Sequence, residues 1–330
     1  MTRVVAVLLL LTTLLPACSQ PETLMVYSGR SENLVGPLLT RFSRDTGIEV
    51  DIRYDETANL ALLIEEEGEA SPADVFLSQS PGATGLLLLA DRLRPLPAEL
   101  VAQVPPAFRG PEGKSVGVTA RQRVLVFNQD EIAAEDLPAS VMDIVDPEFA
   151  GRVAVAPTNA SFLDFVTAMR QAEGEAATQA WLDALGEQDA PTYENNNAIV
   201  EAVSRGEIAM GLVNHYYNAR FLAEDASLPS RNHVFASGDV GAAILESAAA
   251  VVDSTDRPED AEAFIAYLLQ PQAQQYFAEE TFEYPLVAGV EPVGDLPPLD
   301  IEGAPVIDLA ALGADLERTS EMVSSSGLTQ

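Results

Sequence analysis

The sequence holds a single cysteine, Cys18, in 330 residues. One cysteine excludes an internal disulfide, so any fold it belongs to is held by its core alone. Lysine is as scarce: Lys114 is the only one, and Lys plus Arg total 18 against 51 Asp plus Glu. The resulting formal net charge of −33 repels phosphate backbones, which excludes nucleic acid as a partner class. There are 2 histidines, too few for a histidine-based catalytic triad or metal site to be well supported. No nucleophile elbow, glycine-rich phosphate loop or zinc-type spacing occurs, and nothing singles out one carboxylate pair among so many. The composition therefore points away from an enzyme. Beyond the first residues no apolar run is long enough to cross a membrane; Leu86 to Ala90 is short, and charge follows at once.

What the chain does have begins at its start. Arg3 precedes an apolar run from Val4 to Leu15, which reads as a targeting segment. Leu15-Pro16-Ala17-Cys18 is similar to a bacterial lipobox, although Pro16 is unusual there. The resemblance implies cleavage before Cys18, with 1–17 as signal peptide, and lipidation of the thiol. Residues 18–23 then form a polar tether from an extracytoplasmic membrane surface. An ordinary secretory signal that contains a cysteine is the other reading. The rest is too long for a typical single core and suits two lobes. The acidic residues are spread along the whole chain. That distribution fits a solvated surface screened by salt better than a field focused on one cation site.

Leu24 to Tyr27 reads as a buried strand, and Ser28-Gly29-Arg30 as a turn. Leu34, Val35, Leu38, Leu39 and Phe42 then recur at helical spacing, with Gly47 placed as a C-cap. Ile48 to Tyr54 and Ala73 to Leu77 read as strands, with helices at Leu60 to Glu67 and Gly82 to Ala90. This alternation predicts an α/β fold with a parallel sheet and right-handed crossovers. After a proline-rich connector, Val116 to Asn128, Arg152 to Ala156 and Ile208 to Val213 read as strands, with helices between them. Ala242 to Val252 reads as a strand returning to the first unit. Leu309 to Val323 reads as a closing helix, and Ser324 to Gly327 as a flexible tail. The chain is thus expected to form a two-lobed clamshell. One lobe takes residues 24–120 and 246–295, the other 121–245 and 296–330.

Ligands in such sheets bind outside the carboxyl ends of the strands, here in a cleft between lobes. Those ends carry polar clusters: Ser28 to Ser31, Ser78-Gln79-Ser80, Thr158-Asn159-Ala160-Ser161, Tyr193 to Asn197 and Asn214-His215-Tyr216-Tyr217. The cluster before Phe162 opens a helix whose free amides and positive dipole end form an anion site. From local sequence alone a plain N-cap explains it better. Tyr216 and Tyr217 are harder to dismiss. A phenol keeps its proton near neutral pH, with a pKa of about 10. A hard trivalent cation displaces that proton and binds phenolate oxygen. Two phenolates neutralise two of three ferric charges, and an anion at the neighbouring helix start supplies the third.

Together with Tyr27-Ser28-Gly29-Arg30, Pro72 to Phe76, Thr158 to Phe162 and Glu283-Tyr284-Pro285-Leu286, the segment Asn214 to Tyr217 resembles the ferric-iron-binding proteins of bacterial ABC importers. The resemblance spans nearly the whole mature chain. It implies a type II periplasmic-binding-protein clamshell related to transferrin lobes. Tyr216 and Tyr217 would ligate Fe(III), and Asn159, Ala160, Ser161, Asn196 and Asn214 would bind phosphate or carbonate. Many relatives also place a histidine and a glutamate ligand where Ser31 and Gln79 stand here; others use a third tyrosine where Phe162 stands. Ser31 and Gln79 are thus weak candidate ligands. Tyr54, Arg30, Arg121 and Glu194 are possible helpers, and His215 reads as a support for the tyrosines. The implied partners are an ABC permease and its ATPase, served by a monomer. A binder of another solute, an oxyanion or small organic acid, is the alternative on the same fold.

Overall fold

The computed structural model describes residues 23–293, 296–305 and 307–329. The expected signal peptide and Cys18 lie outside the described residues. The strands are β1 (Leu24–Ser28), β2 (Val50–Tyr54), β3 (Val75–Ser78), β4 (Leu93–Arg94), β5 (Val116–Asn128), β6 (Val153–Ala154), β7 (Met210–Asn214), β8 (Ser230–His233), β9 (Ile244–Val252) and β10 (Tyr284–Pro285). The helices are α1 (Glu32–Thr46), α2 (Thr57–Glu67), α3 (Pro81–Leu89), α4 (Ala98–Val101), α5 (Ala160–Glu173), α6 (Glu175–Glu187), α7 (Asn196–Ser204), α8 (His215–Glu224), α9 (Pro258–Leu268), α10 (Pro271–Tyr276) and α11 (Leu309–Ser325).

The first half follows its apolar spacing. Val35, Leu38, Leu39 and Phe42 are the buried stripe of α1, and Gly47 ends the helix at φ 77°, donating its N–H to the Ser43 carbonyl. Strands β1, β2 and β3 pair in parallel, as the strand-helix alternation requires. The sheet is nevertheless mixed. Its order is β2-β1-β3-β9-β5-β7-β6, and β9 runs antiparallel to both β3 and β5. Strand β9 therefore returns to the first unit, as its small apolar sequence predicts.

Strand β5 belongs to both halves. Its first part pairs with β9 and β10, its second with β7 and β8. The apolar cores divide the same way. One gathers Leu38, Phe42, Val75, Phe108, Phe264 and Phe277; another gathers Phe149, Phe162, Phe165, Trp181, Leu212 and Met322. Each such side chain contributes roughly 1.5–3 kcal/mol on burial.

Two expectations need correction at the C-terminus. The segment 296–305, read above with the second lobe, packs Leu296, Leu299, Ile301 and Ala304 against the first core. The tail read as flexible is helical through Ser325, and Leu328 is buried in the second core. Helix α11 also packs on α3 as well as on α5 and α6. Glycine permits this approach: a Cβ at Gly313 would lie 2.4 Å from the backbone of Gly85 and Leu86. A Gly313→Ala change should gain about 1 kcal/mol of helix propensity. The rigid backbone it meets should cost about 1–3 kcal/mol, so the clash wins. Thermal denaturation should show a lower Tm for Gly313→Ala; an unchanged or raised Tm would show that the two helices do not depend on this contact.

Candidate functional site

The site assembles where β5, β7 and the helices following them meet. Strand β7 ends at Asn214, which is also the residue preceding α8. Tyr216 and Tyr217 consequently stand on the first turn of α8 rather than in a loop. Their rings stack with centroids 4.1 Å apart at 29°. Tyr216 is 3% exposed and Tyr217 is half-buried. Burial, then the neighbouring Tyr217, pushes the Tyr216 phenol well above its ordinary pKa. A phenol so placed loses its proton only to a strongly polarising partner.

His215 holds the pair in place. Its Nδ1 accepts the Gln122 N–H at 3.1 Å, so its Nε2 carries the proton and donates to the Phe282 carbonyl at 2.8 Å. Burial pulls its pKa down to about 4, and the ring is neutral at physiological pH. Both ring nitrogens are thus engaged in hydrogen bonds to the backbone. Phe282 reaches it from a left-handed backbone conformation, φ 58°.

Of the residues expected to bind an anion, Asn159, Ser161 and Asn196 are hydrogen-bonded to one another. Asn159 caps α5, its Oδ1 accepting the Ser161 N–H at 3.1 Å and the Ser161 hydroxyl at 2.6 Å. Asn196, the first residue of α7, donates its Nδ2 to Asn159 Oδ1 at 3.2 Å and to Ser161 Oγ at 3.1 Å. Ala160 is the first residue of α5 and is exposed. The plain cap anticipated from local sequence thus forms, and an anion here would share amides that Asn159 now serves. Asn214 differs. It precedes α8 without capping it through its side chain, and its buried Nδ2 has no acceptor among the described residues. A buried donor without a partner costs about 1–3 kcal/mol, which an oxyanion would relieve.

The remaining sequence candidates are divided: Ser31, Gln79 and Tyr54 belong to the first half, Phe162 and Glu194 to the second. Ser31 is exposed before α1, its hydroxyl donating to Asn33 Oδ1 at 2.6 Å. Gln79 follows β3, half-buried, its carbonyl accepting from Arg121 Nη2. Phe162 is sealed in the core beside Phe165 and Trp181. Tyr54 is half-buried at the end of β2, and Glu194 is exposed. Among the described residues, no three His, Cys, Asp or Glu side chains are grouped so as to hold a metal ion.

Sequence reasoning named Arg30 and Arg121 only as possible helpers and missed Arg123, Asp164 and Glu246 in the charged frame beneath these groups. Arg30, Arg121 and Arg123 are all buried. Arg30 pairs with Glu283, donates to Ser247 Oγ at 2.7 Å and lies over Phe277. Burial alone would lower the Arg30 pKa, but Glu283 raises it above its usual value. Arg121 bridges the Gln79 and Glu246 carbonyls. Asp164, on α5, accepts the Ser80 hydroxyl at 2.9 Å at the start of α3. A helix start welcomes that charge, yet burial raises the Asp164 pKa to about 6 and that of Glu246 to about 7.

Comparison with known proteins identifies the family. Residues 70–304 match the family model described as bacterial extracellular solute-binding protein. The chain belongs to that family. It is 33% identical to the Fe(3+)-binding periplasmic protein of Serratia marcescens, covering 94% of this chain and 92% of the relative. It is 32% identical to the major ferric iron-binding protein of Neisseria meningitidis, covering 96% of each. Iron-bound HitA from Pseudomonas aeruginosa superposes with a TM-score of 0.86 at 34% identity, over 92% of this chain and 99% of that one. The fold is accordingly the two-lobed binding-protein clamshell, and the family is one of binding proteins, not enzymes.

The buried carboxyls make stability depend on pH. Both folded pKa values are raised, so the folded state binds more protons than the unfolded chain. Stability should therefore fall as pH rises from about 5 to 8, by about 1–3 kcal/mol. Urea unfolding at pH 5.5 and 8 should show this loss. An Asp164→Asn, Glu246→Gln double variant should lose most of it; an unchanged pH dependence would assign it elsewhere.

Proposed function

We propose that this protein captures Fe(III) outside the cytoplasm through Tyr216 and Tyr217. An oxyanion, phosphate or carbonate, completes the site beside Asn159, Ala160, Ser161, Asn196 and Asn214. The monomer then delivers its cargo to an ABC permease driven by an ATPase. The observation that carries this reading is the pair of stacked phenols, one of them buried beside guanidinium groups. An oxyanion needs hydrogen-bond donors rather than phenolate oxygens. A hard trivalent ion needs anionic oxygen, which two phenols supply once it displaces their protons. The names of the relatives from Serratia and Neisseria support the same cargo.

Few protein ligands stand opposite the tyrosines. Ser31 is a weak donor already engaged with Asn33, and Gln79 offers a neutral amide oxygen. Water, a second anion or Gln79 would fill the remaining positions, leaving an open, anion-dependent shell.

Titrating the iron-free protein with ferric citrate should produce a visible phenolate-to-iron charge-transfer band. The Tyr216→Phe, Tyr217→Phe double variant should lose it. Absence of the band in the wild type, or its persistence in the variant, would sink the ferric reading and favour the oxyanion or organic-acid alternative.

Localisation is a separate part of the proposal. Lipidated Cys18 would hold the protein at the membrane surface after removal of residues 1–17. Cys18→Ala should release it from the membrane fraction into the soluble extracytoplasmic one. Unchanged fractionation would leave Cys18 without that role.

A further inference from the structure

Arg123 is fully buried, and among the described residues no Asp or Glu forms an ion pair with it. It lies in β5 directly opposite Asn214 of β7. Its guanidinium sits 5.1 Å from the Phe165 ring centroid and 5.8 Å from that of Phe162. Nη2 donates to the Leu212 carbonyl at 2.9 Å, Nη1 lies 3.5 Å from Asn214 Oδ1, and Nε has no partner among the described residues. The other two buried arginines are compensated. Arg30 has Glu283, and Arg121 has the Glu246 and Asp164 carboxyls in its surroundings. The acidic groups that Arg123 feels are the phenols of Tyr217 and Tyr216. Desolvation lowers its pKa to about 9, which leaves it a cation at neutral pH.

A buried charge without a counter-charge costs several kcal/mol, and neutral carbonyls and ring faces offset only part of that. The neighbours of Arg123 indicate what completes it. Asn214 and Phe162 belong to two of the three elements that bear the proposed anion residues, the end of β7 and the start of α5; the third is the start of α7. The fixed charge of Arg123 therefore acts on whatever those elements bind.

We propose that Arg123 sets the charge of the accompanying anion, making the site select a dianion over a monoanion. This rests on the ferric reading above. Fe(III) brings three positive charges, two phenolates cancel two, and Arg123 adds one. A dianion such as hydrogenphosphate, carbonate or sulfate closes the balance to zero. A monoanion leaves one positive charge in a largely desolvated site. Arg123 touches neither iron nor phenol oxygen in this scheme; it is a selecting residue that acts through the field it imposes.

The test is competition for Fe(III) against nitrilotriacetate at pH 8, with sulfate, phosphate or formate in excess, followed by the charge-transfer band. Wild type should hold iron at least tenfold more tightly with sulfate or phosphate than with formate. Arg123→Met and Arg123→Gln, two neutral variants of similar length, should lose at least tenfold of that preference. Arg123→Lys should restore it, because it returns the charge without the shape. A preference unchanged in a folded neutral variant overturns the proposal, as does a wild type that holds iron equally well with formate, or a lysine variant no better than methionine. A wild type with no band under any anion overturns the ferric reading instead, so the two failures are distinguishable.

Discussion

The site depends on one stretch of one strand. Arg121, Gln122 and Arg123 lie at the middle of β5, where its partners change from β9 and β10 to β7 and β8. Arg121 reaches back to the Gln79 carbonyl of the first half, and Arg123 reaches the Asn214 side chain of the second. Between them, the Gln122 N–H fixes His215, and His215 fixes the turn that carries both tyrosines. Because β5 is buried at every position, none of these groups can relax into water. Preorganisation follows from topology: a strand shared by two sheets cannot shift toward one without losing ladder hydrogen bonds to the other.

Burying three guanidinium groups in one region is costly, and the protein meets that cost unevenly. Arg30 and Glu283 form a pair whose attraction outweighs desolvation; burial pushes the Glu283 carboxyl up, but Arg30 holds it below its usual pKa. Arg121 is met by carboxyls that burial drives toward neutrality near pH 6 to 7. Arg123 has phenols instead of carboxylates. A phenol is neutral until something displaces its proton, so under the proposed function the unloaded site carries an excess positive charge that loading would use. On the ferric reading proposed above, the same residues that destabilise the empty site would favour the phenolate form of the filled one.

Much of this was legible in the sequence, and the reason is locality. The stripe of α1, its Gly47 cap, the alternation of β1 to β3 and the polar residues at strand ends are set by neighbours within one or two turns. Tyr216 and Tyr217 could be read because their chemistry is unusual even without a fold. What could not be read depends on contacts distant in sequence. Arg-Gln-Arg before Val124 looks like the solvent face of a strand; it is buried because β7 and β9 flank it on both sides. Asp164 looks like an exposed position on α5, but Ser80 and the start of α3 cover it. The tail after Val323 is polar and short-sided, yet the same residues close against Gly186, where a Cβ would lie 1.9 Å from the Ser326 carbonyl.

These long-range contacts also bear on how the two halves meet. Helix α3 begins at Ser80, one residue after Gln79, with Ser80 as N-cap and Pro81 in the first turn. Its start is held by Asp164 of α5, and Gly82 leaves the room, since a Cβ there would lie 2.9 Å from Asp164 Oδ1. Its middle is held by α11 through the glycine contact at Gly85 and Gly313. Gln79, a weak candidate ligand from the sequence, is thus attached to a helix clamped from the opposite half. A rigid clamp of that kind can substitute geometry for ligand strength. Gln79 need not pull the halves together around a metal ion if Ser80, Asp164 and the helix crossing already do so. Under the proposed function, that gives a physical reason for the chain to tolerate a neutral side chain at this position, with binding strength concentrated on the tyrosine side, where the charge would be.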